Sequence, residues 1–358
     1  MPRPPLRRFA IALIAVVGLA VAVDAEVGVT DGPKGVVVNP RNGKAYAAFP
    51  DRGVVKIVAG AAGPVVTLKT GANVKHLTID PRNGRVYAMN RGPGTISVID
   101  PDTDTVVETL AADRGSLTAL NPATNTLYVS ASTGTEPSVI DLATKAATTI
   151  HAGTEGNALS VDVKANAIYF VGYQDDFLTV VDGTTHASTR IAVPGLHQWD
   201  SAFDEKRGRL YLPTPNDNAV TVVDTRTRAV SMVGTGSVPI AAAVNDVTNR
   251  IYVVNYGSSD VTVIDGATNR AIATVPVGLW PQQIAINTRT NMAYVVNTHA
   301  DSVSVIDGRT NRVVATVPAG DGPWAVAVDQ AANMIYVANR LSDTVTVIDG
   351  RTHTAVQR

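Results

Sequence analysis

A tyrosine recurs along this chain at Tyr46, Tyr87, Tyr128, Tyr169, Tyr211, Tyr252, Tyr294 and Tyr336, a period of about 41 to 42 residues. Each is set in the same order of segments: an alternating apolar strand, the tyrosine strand, a Thr-Val-Ile-Asp strand and a Thr-Val-Pro strand. The clearest copies are residues 325–339 with 344–350, 284–297 with 302–308, and 242–255 with 260–266. One such unit cannot bury its own apolar faces, but stacked neighbours can. A constant period of this size in an all-β pattern therefore specifies a ring or array of small sheets.

The last full unit shows the grammar. Residues 324–329 alternate and stop at the polar corner Asp329-Gln330-Ala331-Ala332-Asn333; residues 334–339 form a second strand, 340–343 a loop and 344–349 a third strand. Gly350-Arg351-Thr352 is a tight turn, and the fourth strand is clearest one unit earlier, at 313–318. Four strands and four connections describe one blade of a β-propeller. The corner after the first strand recurs as Asn39-Pro40-Arg41-Asn42-Gly43 and Asp80-Pro81-Arg82-Asn83-Gly84. Asn or Asp bonds the turn backbone and Gly or Asn accepts φ > 0, so these corners read as turns and not as calcium loops. The Asp that closes the third strands from Asp100 to Asp349 reads as turn capping for the same reason; the first unit, 54–59, lacks it. Eight copies predict a single all-β domain, an eight-bladed β-propeller of four-stranded antiparallel blades over residues 26–358. Seven blades is the alternative if one unit is absorbed differently.

Residues 1–25 stand outside the repeat. Arg3, Arg7 and Arg8 precede an apolar run from Phe9 to Val21, and small residues follow at Ala20-Val21-Ala22 and Val23-Asp24-Ala25. This is the pattern of a cleaved signal peptide, with a periplasmic or secreted product. The Arg7-Arg8 pair leaves twin-arginine export as an alternative to the general route. Cleavage removes three arginines and Asp24, moving the formal net charge from −1 to about −3, which gives no global field for nucleic acid. The chain has no cysteine. That excludes disulfides, Cys-zinc sites, iron–sulfur ligation and covalent c-type haem. The chain ends four residues into the expected outer strand 355–358. Residues 27–30, followed by Asp31-Gly32-Pro33, resemble the end of an outer strand and are expected to pair into the last blade.

The motifs Tyr252-Val253-Val254-Asn255, Tyr294-Val295-Val296-Asn297 and Tyr336-Val337-Ala338-Asn339, each followed by Val-Ile-Asp, resemble the YVTN β-propeller repeat family, which includes the YncE-like exported proteins. The resemblance covers nearly the whole chain after residue 25 and is tightest in 239–350. It implies the fold more than an activity. Related propellers include NirF-like and haem-d1 domains, lactonase-like enzymes and surface scaffolds, and YncE-like members are associated with single-stranded DNA.

A ligand surface is expected where the connections from strand four to the next strand one share a face with those joining strands two and three. Aligning the units places Lys34, Lys75, Trp199 and Trp324 at one repeat position at the mouth of the first strand, with His76, Asp200 and Gln283 at the next. Trp280 and His197 fall in four-to-one connections; Arg91, Tyr173, Tyr256, His299 and Arg340 fall in two-to-three loops. These large aromatic and charged groups break a rule of small residues and gather on one predicted face. The expectation is an exported binding or scaffold protein, a monomer, with an unknown protein or small-molecule ligand there and no catalytic residues, cofactor or metal. Three alternatives are a haem-d1 site using His76, His197 or His299, single-stranded nucleic acid stacked on the aromatics, and a hydrolase using Asp200 with Glu155 and Asp175 nearby.

Overall fold

The computed structural model describes residues 35–358 except 113, 132–135, 153–155, 173–174 and 195–199, together with the backbone but not the side chains of 156–157. Thirty-two strands form eight four-stranded antiparallel sheets, each built from consecutive strands, and the sheets follow one another around a ring. Blades 1 to 8 span residues 35–69, 74–111, 118–149, 156–192, 202–234, 239–276, 281–318 and 323–357. The eight-bladed propeller expected from the repeat is the observed fold. Among the described residues the one helical turn is Pro215–Asp217, and no helix is long and apolar enough to cross a membrane.

All eight repeat tyrosines are buried. Each pairs across the sheet with a small or modest first-strand residue, such as Ala327 for Tyr336, Ala285 for Tyr294 and Ala243 for Tyr252. A small partner leaves room for the ring to lean on the neighbouring blade. Tyr336 shows the consequence at the seam: its hydroxyl donates to the Gly43 carbonyl of blade 1 at 3.1 Å. Its ring belongs to one apolar cluster with Phe49 and Val54 of blade 1 and Val345 of blade 8. Burial pushes the hydroxyls of Tyr46, Tyr128 and Tyr294 up to about 12, because the phenolate loses its water there.

The polar words of the repeat serve turns. All eight first-to-second-strand corners place Gly or Asn at positive φ: Gly43, Gly84, Asn125, Asn166, Gly208, Asn249, Asn291 and Asn333. The residue ending the first strand bonds that corner or the next blade. Asn287 Nδ2 donates to Asn333 Oδ1 at 2.7 Å and Asn245 Nδ2 to Asn291 Oδ1 at 2.8 Å. Asp80 is held by Arg82 at 2.7 Å. The third-strand aspartates cap their turns: Asp182 Oδ1 accepts the amides of Thr184 and Thr185. Those backbone bonds lower its carboxyl below the usual range.

The ring closes between blades 8 and 1, each complete from its own local chain. The outer strand of blade 8 is Thr354–Gln357, and Arg358 exchanges both backbone hydrogen bonds with Val345. Arg52 pairs with Asp343 across the seam, and Arg358 reaches the Gly63 carbonyl. The strand expected at residues 27–30 lies outside the described residues.

Candidate functional site

The inner strands present the same problem in every blade. The first strand is a sheet edge, so its channel-side amides have no ladder partner and need another acceptor. His76, Asp200 and Gln283 hold one repeat position, and each meets that need for its neighbour. Gln283 Oε1 accepts the Val326 amide at 2.8 Å. His76 Nδ1 accepts the Thr118 amide at 3.3 Å. Asp200 takes backbone hydrogen bonds from Ser201 and from Ala242 in the following blade. Val326, Thr118 and Ala242 again share one repeat position. The three side chains therefore bond sideways, blade to blade.

Hydroxyls extend this inner belt. Thr78 Oγ1 lies 2.6 Å from Thr118 Oγ1 and donates to the Thr118 carbonyl, while Ser160 and Ser201 hydroxyls meet at 2.9 Å. Burial holds His76 well down, to about 4, and pushes the Asp200 carboxyl up to about 6. Both are partly open to the channel by area, yet protein surrounds them closely enough to strip water from the charged form. His76 is thus neutral near pH 7. The Thr118 amide bonded to Nδ1 assigns its ring proton to Nε2.

The second group lies on the loop face. Trp280, in the connection from blade 6 to blade 7, has its ring centroid 5.5 Å from Tyr256 and 4.6 Å from His299. Tyr256 and His299 come from the two-to-three loops of blades 6 and 7. Backbone bonds fasten these loops together: the Thr298 amide donates to the Trp280 carbonyl at 3.0 Å and the Val277 amide to the Ser259 carbonyl at 3.0 Å. Trp280 remains 47% exposed, and Leu279 beside it 55%.

The backbone under Trp280 is unusual. Its φ is 53°, and the same repeat position is positive in Asn73 (59°), Val238 (54°) and Gly322 (61°). Gly and Asn enter this region at little cost, whereas a bulky or β-branched residue loses about 1 kcal/mol or more. Tryptophan and valine thus occupy a loop position built for Asn or Gly, and both lie exposed there.

Trp324 forms a third group with Arg340, whose guanidinium carbon sits 4.9 Å from the ring centroid. Lys75 and Arg91 lie half-buried on the same loop face in blade 2. Lys34, Tyr173, His197 and Trp199, with Glu155, lie outside the described residues. Val238, Leu279 and Leu341, exposed on this face, were not among the sequence candidates. Their signal was present: large apolar residues where sister loops carry Asn73 (for Val238), Asp321 (for Leu279) and Gly92, Gly257 or Ala300 (for Leu341).

Among the described residues no group of three or more His, Asp or Glu is arranged to hold a metal ion. A depression of about 440 Å³ lies on the opposite face, at the corners of blades 4 to 6. It is lined by Phe203 and Val244 with Lys164, Lys206, Glu205 and Asp246, a shallow mixture of both signs. The loop face is the better candidate because its aromatics converge and its backbone is strained toward exposure.

No family model matches the chain, and no curated protein matches it. Among solved structures it is similar to Kuenenia stuttgartiensis hydrazine synthase, with a TM-score of 0.60 and 15% identity. The match covers 93% of this chain and 99% of that one. At that identity the likeness carries the fold alone.

Proposed function

We propose that this chain is an exported, YVTN-type propeller that works as a binding or scaffold protein. Its partner docks on the face made by the four-to-one and two-to-three connections, with Trp280 as anchor. One observation carries the reading: Trp280 is held at φ 53° and left 47% exposed, between Tyr256 and His299. Backbone strain maintained at an exposed aromatic marks function more than packing. Tryptophan and tyrosine are also the side chains that dominate binding interfaces.

The inner belt supports holding over catalysis. His76 and Gln283 spend their acceptors on the next blade's amides, so they act first as struts. With Nδ1 so engaged, His76 offers the channel an N–H rather than the lone pair a haem iron needs.

The test separates an anchor from a plug. Trp280→Asn places a φ-tolerant residue in the loop. If the ring is an anchor, the variant keeps its melting temperature within a few degrees and loses binding of any ligand found by a screen of peptides, oligonucleotides, haem, metals and lactones. A ring that merely fills a gap gives the reverse: a loss of about 3 kcal/mol or more, as for core aromatics, with binding retained.

A further inference from the structure

The charges on the loop face are unevenly distributed. In blades 1 and 2 its connections and strand ends carry Arg52, Lys69, Lys75, Arg91 and Arg114 against Asp51 among the described residues, with Arg52 paired to Asp343. Across the ring, from the two-to-three loop of blade 4 to the connection leaving blade 7, the connections carry Asp176, Asp217, Asp301 and Asp321, with Asp260 opening a third strand. Among the described residues of those connections there is no lysine or arginine. The two sectors lie on opposite sides of an eight-membered ring, so the near-neutral total charge conceals a dipole across one face.

Val238, Leu279 and Trp280 fall inside the acidic sector, and exposed Leu341 lies beside it in blade 8. Val238 leads into blade 6, and Leu279 and Trp280 into blade 7. The Tyr256 amide donates to the Val238 carbonyl at 2.9 Å, and the His299 amide to the Leu279 carbonyl at 3.2 Å. Contacts thus run without a break from Val238 through Tyr256 and Trp280 to His299. An apolar arc rimmed by carboxylates has a definite complement. Nucleic acids and anionic lipid surfaces carry the wrong sign, and a small cation cannot cover an arc spanning two blades. A polypeptide segment with alternating basic and apolar side chains fits both features: its apolar groups cover the arc, while its guanidinium or ammonium groups meet the aspartates and the aromatic faces.

Resting on the docking face proposed above, we infer that the partner is a cationic polypeptide segment laid over blades 5 to 7, with an apolar residue against Trp280 and Leu279. The basic sector orients it by repelling the segment from the far side of the ring.

The experiment uses the full chain and two labelled peptides of equal length, one alternating Arg and Leu, the other Glu and Leu, followed by fluorescence anisotropy. The Arg peptide binds, and its affinity falls at least about tenfold between roughly 0.05 and 0.5 M salt, where screening shortens the field. Trp280→Ala weakens it at least about tenfold, as loss of an interface anchor does, and Trp280→Asn gives the same loss should the alanine variant fold poorly. Asp217→Lys with Asp301→Lys also weakens it, while Lys206→Glu, on the opposite face, does not. Equal or tighter binding of the Glu peptide, no binding of the Arg peptide, or binding indifferent to Trp280 overturns the inference. In the second of these outcomes the docking face itself still stands if another ligand depends on Trp280, so the two failures are distinguishable.

Discussion

Gln283 Oε1 accepts the amide hydrogen of Val326 in the next blade, 2.8 Å away. The bond gives an inner-edge amide the acceptor that no strand supplies. Gln283→Ala leaves that amide seeking water at a crowded position. The expected loss is about 1 to 2 kcal/mol in urea unfolding, the usual penalty for an orphaned donor. A variant as stable as the parent would mean that water replaces the side chain freely.

His76 and Asp200 give opposite pH dependences. Burial holds His76 at about 4 against an ordinary 6.5, so the unfolded chain binds a proton the native one refuses. Stability from this site falls as pH drops from 6.5 toward 4. Burial raises Asp200 to about 6 against 3.8, so the native state keeps a proton that the unfolded one has lost. Stability from that site falls as pH rises from about 4 to 6. Each effect is worth at most about 3 kcal/mol, and in the parent they oppose each other between pH 4 and 6. Relative to the parent, Asp200→Asn gains stability as pH rises through that window and His76→Gln gains as pH falls. Denaturation series at pH 4, 5, 6 and 7 read both slopes, and parallel curves for all three proteins would refute the assignment.

Val238 has the backbone strain of Trp280 without its ring contacts. Val238→Gly is expected to raise stability by about 1 kcal/mol through relief of the left-handed backbone. A calorimetric melting temperature that falls instead would show that the exposed valine packs more than its area implies.

Gly278 lies against Asn297: a Cβ there would sit 2.7 Å from the Asn297 side chain. Asn297 Nδ2 in turn donates to Ser302 and Ser304 hydroxyls at 3.2 and 3.0 Å. Gly278→Ala therefore pushes a buried hydrogen-bonded amide aside, with an expected loss of about 1 to 3 kcal/mol. Gly320→Ala, beside Asn339 in the next blade, should behave alike, and chemical denaturation of both variants checks it.

Export is tested at the chain's start. Mass spectrometry of the secreted or periplasmic product is expected to show a new N-terminus close after Ala22 or Ala25. Recovery of the product with residues 1–25 intact would rule out cleavage.

Everything that repeats was legible in the residues alone. A tyrosine every 41 or 42 residues specifies a ring of equal blades, since burying that ring needs the same neighbour each time, and the structure fixes their number at eight. Gly or Asn at each corner and Asp at seven of the eight third-strand ends are local backbone chemistry, legible without a fold. The loop face was legible too, because alignment of the repeats put Trp280, Tyr256 and His299 on one side. Their mutual contact was not legible, for it depends on which loops of adjacent blades touch. The tertiary structure alone decided that His76 and Gln283 turn sideways, because only a ring creates an unpaired inner edge with a neighbour in reach. It also decided the conformation beneath Trp280. The residue's name records an aromatic in a loop, and only the folded backbone, at φ 53°, shows that the loop holds it out against its own preference.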